Sequence, residues 1–250
     1  MSALKLSIVM LTCNQRELTK RCLASLRPTL DAHPDYELIL VDNGSTDRTD
    51  AMLPEVAPDA RLIRLERNLG VAAGRNRGID AVRGEYVMLL DNDTIVAPGA
   101  IEALIAKMEA DPGIGLCAPR LKLLSGQTQE SFKAYPGLGV KLRNVMGRRG
   151  HLTAEPEADV EPDYVIGACQ LFRRSLCTMI GGLDERIFYG PEDADFCIRV
   201  RRAGLRVVYT PSVTIIHDAR RATTRRLFSP LARKHIAALI YFYIKHRRFI

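Results

Sequence analysis

The chain has 250 residues, 47% of them hydrophobic, which is enough to bury a sizeable core and excludes a disordered segment or a minimal disulfide-stapled scaffold. Its six cysteines, Cys13, Cys22, Cys117, Cys169, Cys177 and Cys197, contain no C-x-x-C pair, a scatter that argues against a zinc site or secreted framework and for reduced thiols in a cytosol. The net charge of +7 is concentrated at one end, where Arg220, Arg221, Arg225, Arg226, Arg233, Lys234, Lys245, Arg247 and Arg248 stand against the single acid Asp218; only this tail attracts an anionic partner such as a phospholipid surface, a lipid diphosphate or a nucleic acid.

Leu6 to Leu11 is a β-rich apolar run, too short for a signal peptide and followed at once by Asn14, Arg16 and Glu17. Asn14 with Glu17 three residues on reads as a capping box, opening a helix with Leu18, Cys22, Leu23 and Leu26 at helical spacing. Strands are predicted at 36–41, 61–65, 86–90 and 115–118. A helix entered at Pro98 carries Ile101, Leu104, Ile105 and Met108 on one face and stops at Asp111-Pro112-Gly113. This alternation predicts an α/β fold with a parallel sheet. Residues 125–163 lose periodicity and read as long loops or an irregular hairpin. Order returns with a strand at 164–172, helices at 175–180 and 192–203, the second closed by Gly204, and strands at 205–209 and 213–216. The last apolar run, Ile236 to Ile244, is nine residues long where a membrane span needs about 20. It reads either as an interfacial amphipathic helix or as a core helix with solvated ends.

Asp91-Asn92-Asp93 directly follows an apolar strand, so two carboxylates emerge at the edge where open α/β sheets bind ligands. Such a pair can share a hard divalent cation with phosphate oxygens, and the same triplet is also a common solvated turn. Asp42 opens a similar turn through Asp47; it can accept a hydrogen bond from a pyrimidine N–H, or the run can serve as turn and helix cap. Between Asn68 and Gly78, small residues permit close backbone approach while Arg75 and Arg77 offer charge to a diphosphate.

Together these turns resemble the nucleotide-binding half of glycosyltransferase family 2. The second half is similar too: Gly182-Leu183-Asp184-Glu185 leads to Glu192-Asp193-Ala194-Asp195 at a helix start, and Arg199 to Gly204 continue the pattern. The resemblance runs from Leu6 to His217 and extends to bacterial rhamnosyltransferase-like members. It implies a GT-A fold, a Rossmann-like, mostly parallel central sheet flanked by helices with a fused acceptor-binding half. Residues 1–118 would bind nucleotide sugar, 119–217 would bind acceptor and carry catalysis, and 218–250 would form the basic segment. The resemblance further implies that Thr12, Asp42, Arg75, Asp91 and Asn92 hold a dTDP- or UDP-sugar. Asp91, Asp93 and His217 would hold Mg²⁺ or Mn²⁺, and Asp193 would be the general base with Glu192 and Asp195 in support.

The implied reaction is an inverting transfer of a sugar such as L-rhamnose to a glycan or lipid-linked acceptor. It would take place on the cytoplasmic side, at the inner face of a membrane where the basic tail meets anionic lipid. Ile187 stands where the family usually has an aromatic residue, and 164–168 lacks a tryptophan often found there; both departures bear on the acceptor. Plainer readings coexist: acids at a helix start suit the helix dipole, and His217 suits a strand end. A catalytically inactive nucleotide- or lipid-binding subunit is the alternative function. A nucleic-acid partner is not expected, because no basic and aromatic interleaving accompanies the tail.

Overall fold

The computed structural model describes residues 4–134, 155–219 and 230–246. In chain order the elements are β1 (Leu6–Thr12), α1 (Arg16–Ala32), β2 (Tyr36–Asp42), α2 (Leu53–Val56), β3 (Arg61–Arg64), α3 (Val71–Ile79), β4 (Tyr86–Asp91), β5 (Thr94–Ile95), α4 (Ala100–Ala110) and β6 (Ile114–Lys122). They continue with β7 (Phe132–Lys133), β8 (Tyr164–Val165), β9 (Cys169–Arg173), α5 (Arg174–Ile180), α6 (Glu192–Arg202), β10 (Arg206–His217) and α7 (Pro230–His246).

Eight strands form one sheet in the order β3-β2-β1-β4-β9-β6-β10-β5, and β7 and β8 form a separate two-stranded ribbon. The inner strands are apolar on both faces, as a sheet covered on both sides requires. Ile8, Met10, Met88 and Leu90 face one cluster with Leu23 and Leu26 of α1 and Ile101, Leu104 and Met108 of α4. The alternate residues Val9, Ile39, Val41, Val87 and Leu89 face the other, with Ala72 and Ile79 of α3 and Phe196 and Val200 of α6. β1 pairs in parallel with β2 and β4, and β6 with β10, whereas β9 runs antiparallel to both β4 and β6. Strands from the two expected halves therefore share one sheet, with β9 inserted between β4 and β6.

Several sequence expectations need correction. The capping box does not form: the residue before α1 is Gln15, with no side-chain cap. Asn14 adopts φ 54° and its Oδ1 accepts from the Thr46 N–H at 2.8 Å, so it ties two loops together instead. The predicted strand 164–172 is broken at 166–168 into β8 and β9, and the two strands predicted at 205–216 are one, with a register shift between Thr210 and Thr214. The irregular region contributes β7, and 135–154 lie outside the described residues. Among the described residues no helix is long and apolar enough to cross a membrane.

Candidate active site

All strands of the large sheet except β9 and β5 point the same way, so Thr12, Asp42, Asp91 and His217 each terminate a strand at one edge. Thr12 lies in register with Asp42, and Leu11 with Asp91. After Asp93 the chain folds back as β5, pairing Thr94 with His217. That reversal sets the Asp93 Oδ1 3.2 Å from His217 Nε2, and the Asp218 N–H donates to the Asp93 carbonyl at 2.8 Å. Single ligand atoms of Asp91, Asp93 and His217 lie within 4.8 Å of one another. The Asp93 Oδ1 is buried and makes no hydrogen bond unless the His217 ring is protonated, a costly state for a carboxylate facing a neutral imidazole unless a cation answers it. Two carboxylates and an imidazole so gathered fit a divalent ion such as Mn²⁺ or Mg²⁺.

The imidazole is oriented from behind. Gln129 Oε1 lies 2.7 Å from His217 Nδ1; with the carboxamide oxygen accepting, Nδ1 carries a proton and Nε2 is the nitrogen that faces Asp93, donating to it when the ring is charged and free to ligate a cation when it is not. Burial opposes a charged ring here, but the Asp93 carboxylate outweighs it and raises the His217 pKa.

Arg75 connects this cluster to the expected base. Its side chain is 3% exposed, and Nη2 donates to Asp91 Oδ1 at 2.5 Å and to the Gly167 carbonyl at 2.7 Å. The Gly167 N–H in turn donates to Asp193 Oδ2 at 3.2 Å. A side chain at 167 would place its Cβ 2.6 Å from Arg75 Nη1, so glycine alone lets the guanidinium reach the strand break. Burial raises the Asp91 pKa, against the Arg75 charge. Burial likewise raises Asp193 to about 6, opposed by the Ala194 and Gly167 N–H groups and by Arg75. Glu192 is pushed up to about 8 by burial and by Asp193, while the Gly190 N–H donates to its Oε2 at 2.7 Å.

These groups face one cleft of about 540 Å³, lined by Thr12, Arg75, Asp91, Asn92, Asp93, Glu192, Asp193 and His217 among others. Thr12 and Asn92 are nearly closed off: the Asn92 Nδ2 donates to the hydroxyls of Thr12 at 3.2 Å and Thr19 at 2.8 Å. Asp42 does not join the lining. It is fully buried one layer behind, its Oδ1 accepts from the Ser45 N–H at 2.8 Å, and its Oδ2 has no partner. Asp195 does not join either; the first turn of α6 points it away, where it meets Arg199 at 2.8 Å, Lys245 at 2.5 Å and His246 at 2.8 Å. Burial would raise its pKa, and the hydrogen bonds from His246 and Lys245 together with the Arg199 and Lys245 charges outweigh it and hold the carboxyl below the ordinary range.

Four contributors escaped the sequence reading. Asn43 lines the cleft and fixes the glycine-rich turn, donating to the Gly70 carbonyl at 3.0 Å and accepting from the Leu69 N–H at 2.9 Å. Its place beside Asp42 was the available signal. Gln129, and Leu231 and His235 of α7, carry none, since they come from an irregular segment and from a helix legible only as apolar.

The sequence profile described as Glycosyl transferase family 2 matches residues 7–179. An N-acetylglucosaminyl-diphospho-decaprenol L-rhamnosyltransferase of Mycobacterium tuberculosis is 30% identical over 96% of this chain and 85% of its own. Among solved structures, a mannosyltransferase from Pyrobaculum calidifontis in complex with GDP-Man and Mn²⁺ superposes with TM-score 0.65 at 20% identity, covering 98% of this chain. GalNAc-T7 with UDP, GalNAc and Mn²⁺ superposes with TM-score 0.68 at 17% identity, again over 98%. The chain spans 64% and 51% of those two solved chains, so each holds parts with no counterpart here. These likenesses establish the GT-A fold. The edge of the sheet gathers an acid-imidazole cluster, and a family profile covers most of the strands that build it. On both grounds the chain belongs to glycosyl transferase family 2.

Proposed function

We propose that this chain is a metal-dependent, inverting glycosyltransferase that moves a sugar from a dTDP- or UDP-linked donor onto a hydroxyl of a lipid-linked or polysaccharide acceptor in cell-surface glycan synthesis. The observation that carries the reading is the convergence of Asp91, Asp93 and His217 with Asp193 on one cleft, joined through Arg75 and Gly167. L-rhamnose is the proposed sugar, on the likeness to the mycobacterial rhamnosyltransferase across nearly the whole chain. Six free cysteines suit a reducing, cytoplasmic setting.

Asp91, Asp93 and His217 would hold Mg²⁺ or Mn²⁺, which when bound offsets the charge of a departing nucleoside diphosphate. Arg75 keeps Asp91 in place and adds a buried positive charge beside it. Asp193, with its pKa raised to about 6 by burial, is ionised at neutral pH yet basic enough to take a proton from an acceptor hydroxyl. The proton moves to Asp193, the hydroxyl oxygen attacks the anomeric carbon, and the bond to the diphosphate breaks on the opposite side, inverting the centre. Asp42, fully buried and outside the cleft lining, is left with the plainer of its two sequence readings, holding the turn through the Ser45 N–H.

Thermal stabilisation by a panel of nucleotide sugars, with Mn²⁺ or with EDTA, tests the reading, because a ligand of the folded state raises Tm by mass action. A dTDP- or UDP-sugar that stabilises only with the ion, and is turned over by the isolated protein, is the expected outcome. Donor binding without any hydrolysis or transfer would favour the inactive subunit, and equal stabilisation in EDTA would remove the metal role.

A further inference from the structure

Part of the cleft wall is a short strap, Phe188-Tyr189-Gly190, that leads into the acid pair Glu192 and Asp193 and is held by two helices. The Phe188 carbonyl accepts from the Val71 N–H, in the first turn of α3, at 2.8 Å. From α7, the Lys234 Nζ lies 3.5 Å from the centre of the Phe188 ring, and His235 Nδ1 lies 3.1 Å from the Tyr189 carbonyl oxygen. A carbonyl can only accept, so Nδ1 carries the proton. The same Tyr189–Gly190 peptide serves another partner at its other end, where the Gly190 N–H donates to Glu192 Oε2 at 2.7 Å. A trans peptide is planar, with its C=O and N–H on opposite sides, so a grip on the oxygen sets where the N–H points. The grip matters because a glycine follows: Gly190 sits at φ 132° and has no Cβ to oppose rotation of the plane. α7 lies beyond residues 7–179, which match the family profile. Of the basic tail, Arg233, Lys234 and Lys245 fall among the described residues, and Arg220, Arg221, Arg225, Arg226, Arg247 and Arg248 lie outside them.

We infer that His235 is a positioning residue for the transfer proposed above: acting through the Tyr189–Gly190 peptide, it holds the Glu192 carboxyl in place in the cleft, beside Asp193. Its catalytic consequence rests on that reading; the clamp itself does not. Without the imidazole the peptide can turn over, the Gly190 N–H leaves Glu192, and a buried carboxyl loses a donor. Glu192 lines the cleft next to Asp193, so its carboxyl faces the hydroxyl that Asp193 would deprotonate, and misplacing such a group by a small distance can cost up to about 10²-fold in rate. The donor contacts expected of Arg75, Asp91 and Asp93 lie on other elements, so the loss belongs in kcat and not in donor KM.

Substitutions of His235 separate the hydrogen-bond donor from the ring: asparagine places an N–H close to the position of Nδ1, glutamine places one near Nε2, and alanine has none. Amide hydrogen exchange at Gly190, followed by NMR on the full chain, should match the parent in H235N and speed up about tenfold or more in H235A and H235Q. In steady-state transfer H235A and H235Q should lose about tenfold or more in kcat with donor KM little changed, and H235N should recover most of that loss. In an E192A background H235A should cost nothing further, since its effect runs through that carboxyl. H235N and H235Q both keep a polar side chain, so their comparison decides the matter even where H235A folds poorly. Unchanged Gly190 exchange in H235A and H235Q overturns the clamp. Equal losses of kcat in all the variants, or full additivity with E192A, overturn the positioning role, because a helix merely packed on the strap would give either. A parent that transfers no sugar overturns the reading of the cleft and the kinetic consequence with it, while exchange at Gly190 still decides the clamp.

Discussion

Asp193 and Gln129 illustrate what a single side chain contributes. Asp193→Asn is expected to reduce transfer by about 10²-fold or more, the scale of a lost general base, while leaving metal-dependent nucleotide affinity intact; steady-state kinetics beside calorimetric titration would check the split. In the parent enzyme kcat/KM should fall as pH drops through about 6, where Asp193 takes up its proton. The stability effect has the opposite sense. A carboxyl whose pKa is raised on folding loses stability as pH rises from its ordinary value through about 6, so the asparagine variant should melt higher than the parent at alkaline pH and not in acid. Gln129→Leu removes the acceptor that orients His217, and a weaker apparent affinity for Mn²⁺ in titration, by about 10-fold or more, is expected with the fold unchanged. Much of this residue-scale site was legible in the chain. Asp91, Asp93 and Asp193 follow apolar strands or open a helix, patterns a sequence displays. Gln129 was not legible, because its meaning depends on a contact with His217 across a segment without periodicity.

At the scale of elements, α6 and α7 act as one piece. Asp195 is buried among Arg199, Lys245 and His246, and Asp184 accepts from Tyr241 at 2.8 Å as well as Lys245. Asp195→Ala leaves Arg199, Lys245 and His246 without their shared partner, and a destabilisation of about 3 kcal/mol or more is expected in denaturant unfolding, the usual cost of breaking a buried pair. Since Asp193 lies two residues away, any loss of activity should track loosening of α7, read as faster proteolysis within it. At the other end of the helix, the His235 ring donates to the Tyr189 carbonyl at 3.1 Å and leaves no room for a Cβ at Gly190, whose φ is 132°. The sequence showed that an E-D-x-D run opens a helix, and it could not show that the third acid faces the other way. That division follows from helical geometry once α7 occupies one side, and the docking of α7 is a tertiary fact. Strand positions were read well because inner strands are apolar on both faces; the break at 166–168 was missed because Ile166 and Ala168 look as strand-like as their neighbours.

For the whole molecule, the shared sheet outweighs the division into halves. Residues 1–118 alone would stop within β6 and lack β9, exposing the apolar edge of β4. Such a fragment is expected to aggregate on expression, measured by size-exclusion chromatography of the soluble fraction. The alternating sequence pattern identified the sheet but not its order, since long-range pairing leaves no local trace.

The reversed strand also bears on how the chain reaches its native state. β4 finds its second neighbour only after the polypeptide has travelled from Leu90 to Cys169, the residues that finally pair. During synthesis the first four parallel strands must therefore wait with one flank bare, and non-local closure of this kind is slow. Because the 166–168 bend that starts β9 also carries the Arg75 and Asp193 contacts, assembling the sheet and assembling the proposed active site become a single late event. A half-made protein would have neither.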